Sequence, residues 1–146
     1  MAMVDITGKP KILREATATG KIKLKPETLN LIKSGKVEKG DPLYTAKIAG
    51  VLAAKETSIL IPFCHPLPLT NVKVDMEILD ESTIKVSSTV KTEAQTGVEM
   101  EALVATAISL LTIWDMVKQY EKDAEGQYPH TSIMEIRVEK KFKEGL

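Results

Sequence analysis

The chain is poor in the residues that build covalent or metal-held scaffolds. Its 146 residues include one cysteine and two histidines. A single cysteine closes no intramolecular disulfide, so a reducing compartment is the simpler expectation. One thiol and two distant histidines do not supply a structural zinc site, and no metal is expected. An excess of one charge is also missing: twenty basic side chains balance twenty acidic ones. That balance argues against nucleic acid or an anionic membrane as the main partner. It leaves room for a local basic pocket holding a phosphorylated small molecule. The most apolar run, Ala102 to Trp114, is broken by Thr106, Ser109 and Thr112 and is too short to span a bilayer. Met1-Ala2-Met3-Val4-Asp5 lacks a charged segment leading into an apolar run, so no signal peptide is expected. Together these features predict a soluble, cytoplasmic protein. There is no internal repeat, no Gly-rich phosphate loop, no dinucleotide fingerprint and no G-x-S-x-G elbow.

What is present is an ordinary globular composition, long enough for one domain with its own core. Residues 1–20 show weak periodicity and are expected to form an N-terminal arm, mobile or ordered by a neighbour. Lys21 to Lys25 alternates as a short strand. Pro26-Glu27-Thr28 opens a helix that Gly35 ends. Asp41 caps a second helix, Pro42 to Lys55, whose Ala46, Ala49, Gly50, Ala53 and Ala54 permit close packing. A short turn follows at Thr57 to Leu60. Asn71 to Leu79 alternates, Asp80-Glu81-Ser82 turns, and Ile84, Val86 and Val90 mark the return strand of a hairpin. Thr96 is the candidate cap of a long helix ending near Glu121, with Glu99 completing a capping box. Met134, Ile136 and Val138 mark a last strand, and residues 142–146 are expected to fray.

This order predicts an α+β chain with a ferredoxin-like, split βαβ antiparallel sheet, helices on one face and one extra helix. Residues 21–141 would be its single domain.

Ile61-Pro62-Phe63-Cys64-His65-Pro66-Leu67-Pro68-Leu69 holds the only thiol, one imidazole and three of seven prolines. Prolines stiffen the backbone and bar helix or central strand. The segment is either a rigid site loop or a Pro-kinked core crossing with Cys64 as a small hydrophobe. Along the long helix, Glu101, Thr112, Asp115 and Lys118 share one sector. Asp115 and Lys118, three residues apart, form either an acid–base pair in a cleft or a solvated ion pair. Lys39, before the second helix, either reaches a phosphate or is an exposed loop lysine. Gln95 to Glu101 either binds an anion on free amides or simply caps.

Three segments together resemble the cyclic pyranopterin monophosphate synthase (MoaC) family of molybdenum-cofactor biosynthesis. They are Lys39-Gly40-Asp41 with Thr45 to Gly50, Leu60 to Leu69, and Gln95 to Leu103 with Trp114-Asp115-Met116. The resemblance runs from about Met3 to Lys141. It implies a lyase that converts cyclised dihydro-GTP to cyclic pyranopterin monophosphate and releases pyrophosphate, with no cofactor. It implies a homohexamer, a trimer of dimers, with active sites at subunit interfaces. By position it makes Asp115, Lys118 and Lys39 catalytic. It assigns Phe63, Cys64, His65, Met100, Glu101, Glu99, Arg14 and Asp5 to substrate binding. The family's Gly-Gly-Lys-Ser-Gly tail is absent, so no tail lysine is assigned. Two other readings compete: a nucleotide-binding module without catalysis, and a structural assembly protein.

Overall fold

The computed structural model describes residues 1–145. Eight elements follow in order: β1 (Ile12–Lys23), α1 (Pro26–Lys33), α2 (Pro42–Lys55), α3 (Thr57–Leu60), β2 (Leu69–Ile78), β3 (Thr83–Ala94), α4 (Glu99–Glu121) and β4 (Ser132–Glu144). The strands form one antiparallel sheet in the order β2-β3-β1-β4. β3 splits β1 from β2, and β1 splits β3 from β4, which is the ferredoxin-like arrangement. Ile22, Val74, Ile84 and Val86 pack against Leu110, Ile113 and Val117 of α4 and Leu29 and Ile32 of α1. A second cluster joins Ala16, Ala18 and Val90 to Ala54, Val98, Ala102 and Ala105.

Local chemistry explains most boundaries. The Asp41 carboxylate accepts from the amides of Leu43 and Tyr44, both at 3.1 Å, and Pro42 starts α2. Gly35 ends α1 at φ 69°. The Asp80 carboxylate accepts from Ser82 N at 2.9 Å and tightens the β2–β3 turn. α4 lies close on α2: the Ser109 hydroxyl donates to Ala46 O at 3.0 Å.

Three expectations need correction. Residues 12–20 are not arm: they belong to β1, the strand flanked by β3 and β4. Ala16, Thr17, Ala18 and Thr19 are all buried, so both faces are covered and the in–out alternation that marks a strand is erased. Only residues 1–11 precede the sheet. At the other end, residues 142–144 pair within β4, with Phe142 opposite Glu15; Leu146 lies outside the described residues. Finally, Thr96 does not cap α4. The cap position is Val98, without a side-chain bond, and Glu99 is the first helical residue. The Glu99 carboxylate folds back against Gly97, where a Cβ would collide with it.

One further reading changes. α4 as a whole is long and apolar enough to cross a bilayer, but half of that stretch is buried inside the fold. It is the core helix of the sheet.

Candidate active site

Asp115 and Lys118 lie one turn apart on α4, and Lys118 Nζ is 3.3 Å from Asp115 Oδ1. Lys39 approaches from the other side, with Nζ 3.4 Å from Asp115 Oδ2 and 3.0 Å from its carbonyl oxygen. The turn carrying Lys39 closes through Gly40 N donating to Val37 O at 3.2 Å. Gly40 holds φ 124°, which a side chain resists. Two bonds pin this turn to α4: Glu38 N donates to Tyr120 Oη at 2.8 Å, and Gln119 Nε2 donates to Glu38 Oε2 at 3.2 Å. Two ammonium groups therefore share one carboxylate. The Lys118 hydrogen bond first, and the Lys39 charge next, hold the Asp115 carboxyl below its usual range. The Asp115 side chain is 60% exposed, so the trio faces solvent in the single chain.

A second constellation surrounds a cavity of about 420 Å³ lined by Phe63, Cys64, His65, Glu99 and Met100 with Val4, Ile6 and Lys9 of the N-terminal segment. Cys64 N donates to Ile61 O at 3.1 Å, closing the Pro-rich turn. Behind the wall sits Glu101, 3% exposed, with Oε2 3.9 Å from Cys64 Sγ. Among the described residues, Glu101 Oε1 has no hydrogen-bond partner. Burial raises the Glu101 pKa, helped by the charge of Glu99. Burial also raises the Cys64 pKa, helped by Glu101. His65 Nε2 lies 2.7 Å from Val4 O. A carbonyl only accepts, so Nε2 carries the hydrogen. Asp5 accepts from Thr7 within its own segment, which lowers its pKa. Arg14 donates to Ala94 O at 3.0 Å and Gln95 O at 3.3 Å, bracing the turn that leads into α4.

The structure thus gathers Phe63, Cys64, His65, Met100, Glu101 and Glu99 in one place, with Asp5 and Arg14 in the segments around it. It gathers Lys39, Asp115 and Lys118 in another. Glu101 and Asp115 are fourteen residues apart on one helix, or about 21 Å along its axis. The shared sector is real as an angle, but it joins a buried carboxylate to an exposed one. Sequence reasoning also missed a residue: Lys141 Nζ on β4 comes within 3.8 Å of Glu99 Oε1. Its placement depends on register breaks in β4 near Thr17–Ala18 and Thr19–Lys21, and on Glu135 at φ 55°, which strand alternation cannot forecast.

Chemically, the first constellation offers a carboxylate and two ammonium groups for proton transfer and anion binding. The second offers an apolar wall, an imidazole and a buried carboxyl. The MoaC family model matches residues 3–144. Three curated proteins named probable cyclic pyranopterin monophosphate synthase are similar over 97% of this chain. That of Sulfolobus acidocaldarius is 58% identical, covering 98% of its own length. That of Saccharolobus solfataricus is 57% identical over 95% of its length. That of Pyrococcus furiosus is 54% identical over 90%. With a match across nearly its whole length, the chain belongs to the MoaC family.

Proposed function

We propose that this chain is a cyclic pyranopterin monophosphate synthase acting in molybdenum-cofactor biosynthesis. Its substrate is cyclised dihydro-GTP. It rearranges the purine-derived ring into a pterin, closes a cyclic phosphate on the sugar and releases pyrophosphate. The observation that carries the reading is Asp115 held between Lys39 and Lys118 in a chain of this family. Such chemistry needs protons moved and negative charge stabilised. A carboxylate kept ionised accepts a proton, and the two ammonium groups beside it stabilise negative charge.

In this reading Asp115 and Lys118 exchange protons with the reacting ring, and Lys39 protonates or holds the developing intermediate. Phe63, Cys64, His65 and Met100 form the wall against the purine-derived part. Glu101, whose burial favours its neutral form, donates a hydrogen bond there, and Glu99 flanks it. Asp5 and Arg14 order the N-terminal side. Cys64 lines the wall and is not a nucleophile, since burial disfavours its thiolate.

The two constellations combine across subunits of a cytoplasmic homo-oligomer, a hexamer built as a trimer of dimers. Their separation along α4 supports this, as does an exposed apolar surface. Tyr44, Ile48 and Leu52 repeat along α2, and Ile59 and Leu60 continue it on α3. Basic side chains of two subunits would then hold the triphosphate.

Pyrophosphate release from purified protein supplied with cyclised dihydro-GTP tests the function. The expected outcome is turnover by the native chain. Asp115→Ala should lose about a hundredfold or more with an unchanged circular-dichroism spectrum. Full turnover by that variant would remove Asp115 from the mechanism. Binding without release by the native chain would favour a nucleotide-binding module.

A further inference from the structure

The N-terminal segment is held by a residue that no site assignment includes. Thr7 N and the Thr7 hydroxyl both bond the Asp5 carboxylate, and Lys9 N donates to Ile6 O at 3.0 Å. Residues 5–9 are thus a preformed turn. That turn leaves the carbonyls of Thr7 and Lys9 pointing at Gln95. Gln95 Nε2 donates to Thr7 O at 3.3 Å and to Lys9 O at 3.1 Å. Both partners only accept, so the amide nitrogen must face them. The backbone of Gln95 is itself fixed, because Arg14 donates to its carbonyl and to that of Ala94. Beyond the turn, Val4 O takes the hydrogen of His65 Nε2 at 2.7 Å. Val4, Ile6 and Lys9 then line the same cavity as Phe63, Cys64 and His65.

We propose that Gln95 is a positioning residue: its amide fastens the N-terminal segment across the mouth of the cavity, and the segment in turn fixes the tautomer and orientation of His65. The catalytic consequence rests on the function proposed above; the mechanical one does not. Only a two-hydrogen donor of this length bridges both carbonyls from a half-buried position. Asparagine is one methylene short. Glutamate has the same shape but only accepts when ionised, so it would repel both carbonyls. His65 would gain rotational freedom once Val4 is no longer held beside it, and substrate would have to restore that order on binding.

Two variants test this, Gln95→Ala and Gln95→Glu, each in the full-length chain. Amide hydrogen exchange over residues 4–9 should rise roughly tenfold or more in both, with the sheet amides unchanged. Ring nitrogen shifts should change from a fixed Nε2–H state to a tautomer mixture for His65 and not for His130, the one other histidine. With the cyclised substrate, KM should rise roughly tenfold while kcat stays within about twofold. Unchanged exchange and unchanged His65 shifts in both variants would overturn the proposal. So would a loss of kcat at constant KM, which would make Gln95 catalytic instead. If the native chain shows no turnover, the function reading fails, and the exchange and nitrogen-shift results still decide the clamp.

Discussion

Glu101 occupies a position where an ionised carboxylate is unfavourable. It is almost wholly buried, and among the described residues one oxygen has no partner and the other faces only the thiol of Cys64. Its pKa is raised because burial penalises the charged form, so the folded state binds its proton more tightly than the unfolded chain does. The sign follows: stability should fall as pH rises from the ordinary carboxylate range through the raised folded value. Glu101→Gln cannot ionise and should lack that slope. At neutral pH it should be more stable than the native chain by about 1–3 kcal/mol, with the gap closing in acid. Urea titrations at a series of pH values measure this. A variant less stable at neutral pH would mean that Glu101 is satisfied in solution by something outside the chain. The neighbouring thiol and imidazole illustrate a limit of sequence reading. Cys64-His65 can be read as a reactive pair, but adjacent residues in a turn diverge. Sγ turns toward Glu101 and the ring toward Val4. The prolines announced that neither helix nor strand runs through residues 61–68; which way each side chain faced depended on partners far away in the chain.

The crossing of α2 over α4 sets how near the helices' small residues come. A Cβ on Gly50 would collide with Ser109 Oγ and lie 3.1 Å from Val74 Cγ2 and 3.2 Å from the Ala105 carbonyl. The backbone carbonyl cannot swing aside as a side chain can. Gly50→Ala gains about 0.5–1 kcal/mol in helix propensity, yet it should destabilise the fold by about 1–3 kcal/mol through overpacking. Denaturant unfolding decides the sign, and a stabilised variant would show that α2 can move away freely. The small-residue pattern of α2 was legible because helical spacing displays it. The Asp41 cap and the β2–β3 hairpin were legible for similar reasons, since local chemistry sets them. Of β1 only the end, Lys21–Lys23, was: residues 16–20, covered on both faces and built of Ala, Thr and Gly, carry no alternation, and the sheet context that makes the strand central is non-local. The α4 cap failed because Glu99 turns back on Gly97 rather than sitting a turn inside the helix. Glu121 escaped notice for a like reason. Buried at the end of α4, it accepts from Lys25 N, Thr28 Oγ1 and Thr131 Oγ1, tying α4 to the start of α1 and the approach to β4. Nothing in its immediate sequence distinguishes it from a solvated helix glutamate.

At the scale of the molecule, the proposed chemistry requires two groups of residues that one chain holds about 21 Å apart along a rigid helix. Bending α4 to bring them together would break the core it anchors, because Leu110 and Ile113 lie between them at 0% exposure. Association of copies is the economical alternative, and symmetric closure would give each site one half from each of two subunits. Genetic complementation in a test tube separates the cases. Asp115→Ala damages one half and His65→Ala the other, so each homo-oligomer should be inactive. When the two are unfolded together and refolded at equal amounts, random mixing should leave about one site in four with both halves intact. Activity near a quarter of native is then expected, scaling with the fraction of mixed oligomers seen by native mass spectrometry. If instead a site lay wholly within one chain, every chain would carry a defect, and mixing could restore nothing. Recovery therefore discriminates between a shared site and a private one even without a structure of the assembly.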